Sequence, residues 1–206
     1  RFNLIWMFAI ALITACNMPQ ESSEKITTGE KSSKKTPDEM LSEAYQLFKE
    51  GNDAGSIDLA NRVLIIGKEN NNDTLVGRAL TSLCRNSQRK QDTIRLAELS
   101  DELRKLADSS GNQKWLMYMA HMNAEMWRLI GDMDRAETYY EQSMAISYET
   151  GSMGMYTIDH FNMSFVSIAK GDFGNAKALI TKYYQLRNDA DSTSEDPYGL
   201  TALASF

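Results

Sequence analysis

Gly131-Asp132-Met133-Asp134-Arg135-Ala136-Glu137-Thr138-Tyr139-Tyr140 returns in outline 40 residues later as Gly171-Asp172-Phe173-Gly174-Asn175-Ala176-Lys177-Ala178-Leu179-Ile180. Each copy reads Gly-Asp, a large apolar residue, two further residues, Ala, and a large side chain four beyond the Ala. A fixed period of this length is the sequence mark of stacked helical hairpins. Such a stack offers an extended surface rather than a deep pocket, which directs function towards binding and away from catalysis.

Working outward, apolar stripes at helical spacing recur on both sides. Thr36-Pro37-Asp38-Glu39 is a capping box with Pro at the first helical position. Met40, Leu41, Ala44, Leu47 and Phe48 follow it, then a break at Gly51 to Gly55. Later stripes carry Ile57, Ala60, Val63 and Leu64; Leu75, Val76, Ala79, Leu80, Leu83 and Cys84; Ile94, Ala97, Leu99, Leu103 and Leu106. A helix from about Gln113 to Ile130 carries Trp115, Leu116, Met119, Met122, Met126, Trp127 and Ile130. A further pair is expected over about Met155–Ala169 and Asp172–Leu186. The expectation is eight helices in four hairpins with no strand. Ala60, Ala97, Ala136 and Ala176 are read as the points where each second helix approaches its partner.

These features resemble the tetratricopeptide repeat. The third unit matches best, with Ala124, Trp127, Gly131-Asp132, Ala136 and Tyr140; the fourth supplies Ser164, Ser167, Gly171-Asp172, Ala176 and Ile180. The first two units are degenerate. The unit is nearer 40 residues than 34 and is joined by Glu149-Thr150-Gly151, like the extended variety of that repeat. The resemblance covers about residues 38–190. It implies an all-α, right-handed α-solenoid of about four such hairpins over residues 36–190, followed at 191–206 by a loop and the start of a further helix that the chain cuts short.

The N-terminus carries a second resemblance. Leu4 to Ala15 is an apolar run of about 12 residues, where a membrane span needs roughly 20. A short run before small residues reads as a signal peptide, residues 1–15. It ends in Ile13-Thr14-Ala15-Cys16, which resembles the lipobox of bacterial lipoproteins. That family implies acylation of Cys16, which then becomes the first residue and anchors the chain to a membrane. Asn17 leaves inner and outer membranes both open. After it, residues 17–35 are rich in Ser, Thr, Lys and Glu. They cannot bury enough to order themselves and read as a tether reaching about 25 Å. The first residue is Arg, and Pro197 to Ala204 looks like a helix beginning, so the chain is expected to be a fragment at both ends.

Composition narrows the function. The 206 residues carry a net charge of −6, or −7 once Arg1 leaves with the signal peptide. With no basic cluster after Lys35, nucleic acid is not the expected partner. Two Cys cannot build a disulfide framework and two His cannot build a rich metal site. No nucleophile elbow, phosphate loop or metalloprotease motif occurs, so neither enzyme activity nor a cofactor or metal is expected. Cys84 and the Met stripe of the third unit are read as core.

Binding is expected on the wall made by the first helices of the hairpins. There Tyr118, His121, Glu125 and Arg128 form one polar face at spacings of 3, 4 and 3. That face could clamp a peptide backbone or carboxylate. The reading favoured for these particular residues is a solvated surface with an intrahelical Glu125–Arg128 pair. In the next unit Ile158, Phe161, Phe165 and Ile168 take the same positions, as a partner site or as packing for a fifth unit. His160 is read as structural. The sequence thus suggests a lipid-anchored adaptor of the bacterial cell envelope that binds a protein or peptide. The rival is the sensory region of a longer histidine kinase or DNA-binding regulator. Lipidation has a direct check: Cys16→Ser should abolish acyl labelling and release the protein from membranes, and labelling that persists would refute the lipobox.

Overall fold

The computed structural model describes residues 35–193. The expected signal peptide, Cys16 and nearly all of the expected tether lie outside them, as does the segment from 194 to 206. Eight helices follow one another: α1 (Pro37–Lys49), α2 (Asp53–Glu69), α3 (Asp73–Arg89), α4 (Thr93–Ser110), α5 (Gln113–Ile130), α6 (Met133–Glu149), α7 (Met153–Ala169) and α8 (Phe173–Thr193). Among the described residues there is no strand, and the architecture is an all-α helical-repeat solenoid. The last helix runs past Leu186 because no Gly or Pro stands between Leu186 and Thr193.

The repeat is kept by its linkers. Asn52, Asn72, Asp92, Asn112, Asp132, Ser152 and Asp172 stand at N-caps every 20 residues. All but Ser152 accept a bond from a backbone N–H of the first turn, for example Gly55 N–H to Asn52 Oδ1 at 3.1 Å and Arg135 N–H to Asp132 Oδ1 at 3.1 Å. The residue just before each cap has positive φ. At most linkers the cap N–H also bonds back five residues, as Asn52 to Leu47 O and Asp172 to Ser167 O do. That bond is the Schellman closure, so one helix ends and the next begins within about three residues.

With helices of equal length, positions 40 apart become equivalent. Ala44, Cys84, Ala124 and Ser164 are all fully buried, so a small side chain recurs where each first helix packs. On the second helices the equivalent buried set is Ser56, Leu96, Ala136 and Ala176. Ala97 is therefore not the counterpart of Ala136; Leu96 is, and Ala97 is exposed. In the first hairpin the counterpart is likewise Ser56 and not Ala60, so the spacing of alanines misplaced the second unit by one residue and the first by four, because Leu96 and Ser56 stand where Ala stands in the last two units.

Curvature follows from which helices touch. Besides their chain neighbours, α1 meets α3 and α3 meets α5. On the other side α4 and α6 part, and Met119 and Asn123 of α5 line the cleft between them with Ala97, Ser100, Tyr139 and Gln142. The odd-numbered helices thus form the inner wall. Positions 38, 41, 45 and 48 of α1 face it, and so do their equivalents every 40 residues along α3, α5 and α7.

Two substitutions test this packing. A Cβ on Gly77 would sit 2.5 Å from the Trp115 indole, so Gly77→Ala should cost about 1–3 kcal/mol in urea unfolding. Gln91 occupies φ 55°, a strained place for a side chain, so Gln91→Gly should gain about 1 kcal/mol. Equal and small effects at both sites would contradict the register.

Candidate partner-binding face

On α5 the stripe Tyr118, His121, Glu125 and Arg128 is indeed one face, yet it is not an open polar surface. Glu125 is 1% exposed and His121 6%. Tyr118 is half-buried and its ring stacks on Trp115 at 6.2 Å. Arg128 also keeps part of its side chain in solvent, 29% exposed. The two middle residues are covered because three other helices send polar side chains onto them.

The centre of this arrangement is the Glu125 carboxylate. Its Oε2 accepts from Gln88 Nε2 of α3 at 2.8 Å and from Arg128 Nη2 and Nε at 2.6 and 3.2 Å. Its Oε1 accepts from the hydroxyl of Tyr140, a fully buried residue of α6. Four donors from three helices converge on one buried anion, which supplies what a carboxylate needs to leave water. The intrahelical Glu125–Arg128 pair expected from the spacing exists, but it is a buried pair within a network.

A second pair lies beside it. His121 Nδ1 meets Asp159 Oδ1 of α7 at 2.6 Å, and Asp159 is fully buried with Oδ2 unpartnered. Burial alone pushes the His121 imidazole down. The adjacent Asp159 carboxylate, its hydrogen bond and the Glu125 charge outweigh that and leave it above the usual histidine value. Burial and the Glu125 charge hold the Tyr140 phenol well above its ordinary range. Burial opposes the charge on Arg128, but Glu125 more than compensates and keeps its guanidinium protonated. His160, the other histidine, is structural: its Nδ1 donates to Tyr156 O at 2.7 Å.

The wall changes character along the array. In the first two hairpins Arg85 lies over the Tyr45 ring at 5.7 Å, and Arg89 lies 3.3 Å over Phe48 while pairing with Asp53 at 3.0 Å. Every other arginine from α2 to α6 meets a carboxylate; Arg85, at the register position of Glu125, meets none. At the far end Phe161 and Phe165 pack edge to face at 5.0 Å. Phe161 is half-buried against Tyr183, while Phe165 and Ile168 are each 43% exposed. The two phenylalanines therefore share a face with the α5 stripe by register but are separated from Glu125 by the His121–Asp159 pair.

Cys84 is buried, and burial pushes its thiol up to about 12, which leaves it unreactive at neutral pH. Among the described residues no cluster of His, Cys, Asp and Glu is placed to hold a metal, and no helix is long and apolar enough to cross a membrane. The sequence passed over Gln88, Arg85 and Asp159. The first two were findable, because they occupy the positions of Arg128 and Glu125 one repeat earlier. Asp159 gave no signal, since a lone Asp in an amphipathic helix reads as surface.

The network fixes the effect of its removal. Glu125→Ala should cost roughly 3–5 kcal/mol, because Tyr140 and Arg128 lose a buried acceptor. Tyr140→Phe should cost about 1–3 kcal/mol. A loss below about 1 kcal/mol for Glu125→Ala in urea unfolding would mean that the carboxylate is not the centre of the packing.

No protein-family model matches the chain, and no curated protein matches it. Among solved structures it is similar to the crystal structure of BtubC (BKLC) from P. vanneervenii, with a TM-score of 0.59 at 19% identity, over 81% of this chain and 70% of that chain. At this identity the likeness is one of fold, and it agrees with the helical-repeat array described above.

Proposed function

We propose that this chain is a tetratricopeptide-like adaptor of the bacterial cell envelope, held to a membrane through Cys16, that captures an anionic peptide segment of a protein partner on its inner wall. The observation that carries the reading is Arg85. Its guanidinium is half-buried, is held over the Tyr45 ring and meets no carboxylate, although the chain as a whole is acidic. Gln88 and Arg128 stand one helical turn further along the same wall, both fixed by Glu125. A planar guanidinium already placed by an aromatic ring loses little freedom on meeting a carboxylate, and such pairs form two parallel hydrogen bonds.

Three features support this use of the wall. Curved helical arrays bind extended segments along their inner face. The site is preorganised, because Glu125 immobilises both Gln88 and Arg128 before any partner arrives. The aromatic end, Phe161 and Phe165, offers apolar contacts further along the same face, so one extended segment could present an acidic residue to Arg85 and apolar residues beyond it. The lipobox and tether support the envelope setting, by presenting the wall a short distance from a bilayer.

The experiment is a peptide-binding assay that avoids the structural core. Arg85→Glu should weaken binding of acidic peptides about tenfold or more, near 1.4 kcal/mol, and leave unfolding stability unchanged. Binding should also fall as salt rises. Peptides matched for length but basic in charge should not bind. Equal binding of acidic and basic peptides, or indifference to Arg85→Glu, would refute the wall as the site.

A further inference from the structure

The solenoid has one joint built unlike the others. Between the second and third hairpins the register positions are apolar: Leu103 and Ala107 on α4, Met119 and Ala120 on α5. Forty residues on, between the third and fourth, the same positions are Ser143 and Ser147 on α6, and Asp159 and His160 on α7. The apolar core is also smaller here, and what remains of it spans the joint: its division falls one step earlier, within the third hairpin. One cluster runs from Met40 to Met126 through α1 to α5, and a separate, smaller one joins Ala124, Ala136, Tyr140, Met163 and Val166.

Two sets of charges cross this joint: Lys170, at the end of α7, pairs with Asp134 and Glu137 near the start of α6, and buried between α5 and α7 lies the His121–Asp159 contact, the one of the two that contains a histidine. Asp159 Oδ2 and Ser147 Oγ are both buried and without a partner. The groups acting on His121 are Asp159 from α7, Glu125 from its own helix, Tyr140 from α6 and Arg85 from α3, while Arg128 and Gln88 reach Glu125. Glu125 is already neutralised by Arg128, and Tyr140 donates to it. Asp159 therefore depends on the imidazole for its counter-charge. A neutral His121 could still donate one hydrogen bond, but it would leave a fully buried carboxylate uncompensated, which is costly.

We propose that the α6–α7 joint is a pH-sensitive hinge, in which the protonated His121–Asp159 pair holds the fourth hairpin in place and deprotonation loosens it. The hinge lies between Arg85 and Arg128 on one side and Phe161 and Phe165 on the other. Loosening it would uncouple the charged and aromatic parts of the inner wall. The direction follows from His121 being raised in the folded chain. Its stabilising contribution is complete below the unfolded-state value and is lost as pH rises through the folded-state one. The loss therefore begins above the ordinary histidine value, about pH 6.5.

The chain has only two histidines, His121 and His160, and Cys84 titrates far higher, which makes the test clean. Amide hydrogen exchange of the protein would be followed from pH 6 to 9 and corrected for intrinsic rates. Protection in α7 and α8 should fall severalfold with rising pH while α2 to α4 hold theirs. His160→Gln should keep that profile, and His121→Gln should show the weak protection of high pH throughout. Asp159→Asn should make α7 and α8 indifferent to pH. A flat profile, a loss shared equally by all helices, or a profile abolished by His160→Gln would each overturn the hinge. The wild-type and His160→Gln measurements decide the matter even if His121→Gln fails to fold.

Discussion

Everything in this array depends on closing a helix and opening the next within about three residues. A helix end leaves four N–H or four C=O groups without partners. Here a left-handed residue and a Schellman bond satisfy the carbonyls, and an Asn or Asp immediately afterwards satisfies the next helix's first turn. Because the device recurs every 20 residues, all helices between α2 and α7 have nearly the same length. Equal length makes residues 40 apart equivalent in space, and that equivalence places Arg85, Glu125 and Phe165 in one row on the inner wall.

The same register shows where the molecule departs from its own pattern. At the α6–α7 joint serines, an aspartate and a histidine replace leucine, alanine and methionine. Dispersion and burial of apolar area are lost there, and directional, charge-dependent contacts take their place. On the hinge proposed above, such a joint responds to pH where its apolar neighbours do not. The Glu125 cluster next to it is the opposite case. Four donors saturate its carboxylate, so it acts as a rigid tie among α3, α5 and α6.

A rigid tie is also why the inner wall can be selective. Residues used to bind a partner are more effective when already ordered, since less freedom is lost on association. Glu125 orders Arg128 and Gln88, and Tyr45 orders Arg85 through its ring face. The buried acid is thus a support for the wall, and the basic side chains it holds are the ones that the proposed peptide site would use.

By itself the sequence determined the elements and their order. The 3.6-residue apolar period, the Thr36 capping box and the recurring Gly-Asp pairs are local signals, and local signals fix where helices start, stop and bury a face. That is why eight helices, the Gln113–Ile130 boundaries and the alignment of Tyr118, His121, Glu125 and Arg128 were legible. Only the tertiary structure decided which side chains on that face meet solvent. His121 and Glu125 are polar, and polarity in a sequence points outwards; they are buried because Asp159, Tyr140 and Gln88 arrive from helices 15 to 38 residues away to satisfy them. Leu96 in place of an alanine misled the phase of the second hairpin for a related reason: the space a side chain fills is set by its neighbour across the interface. A charge's environment, and hence its chemistry, belongs to the packing rather than to the pattern.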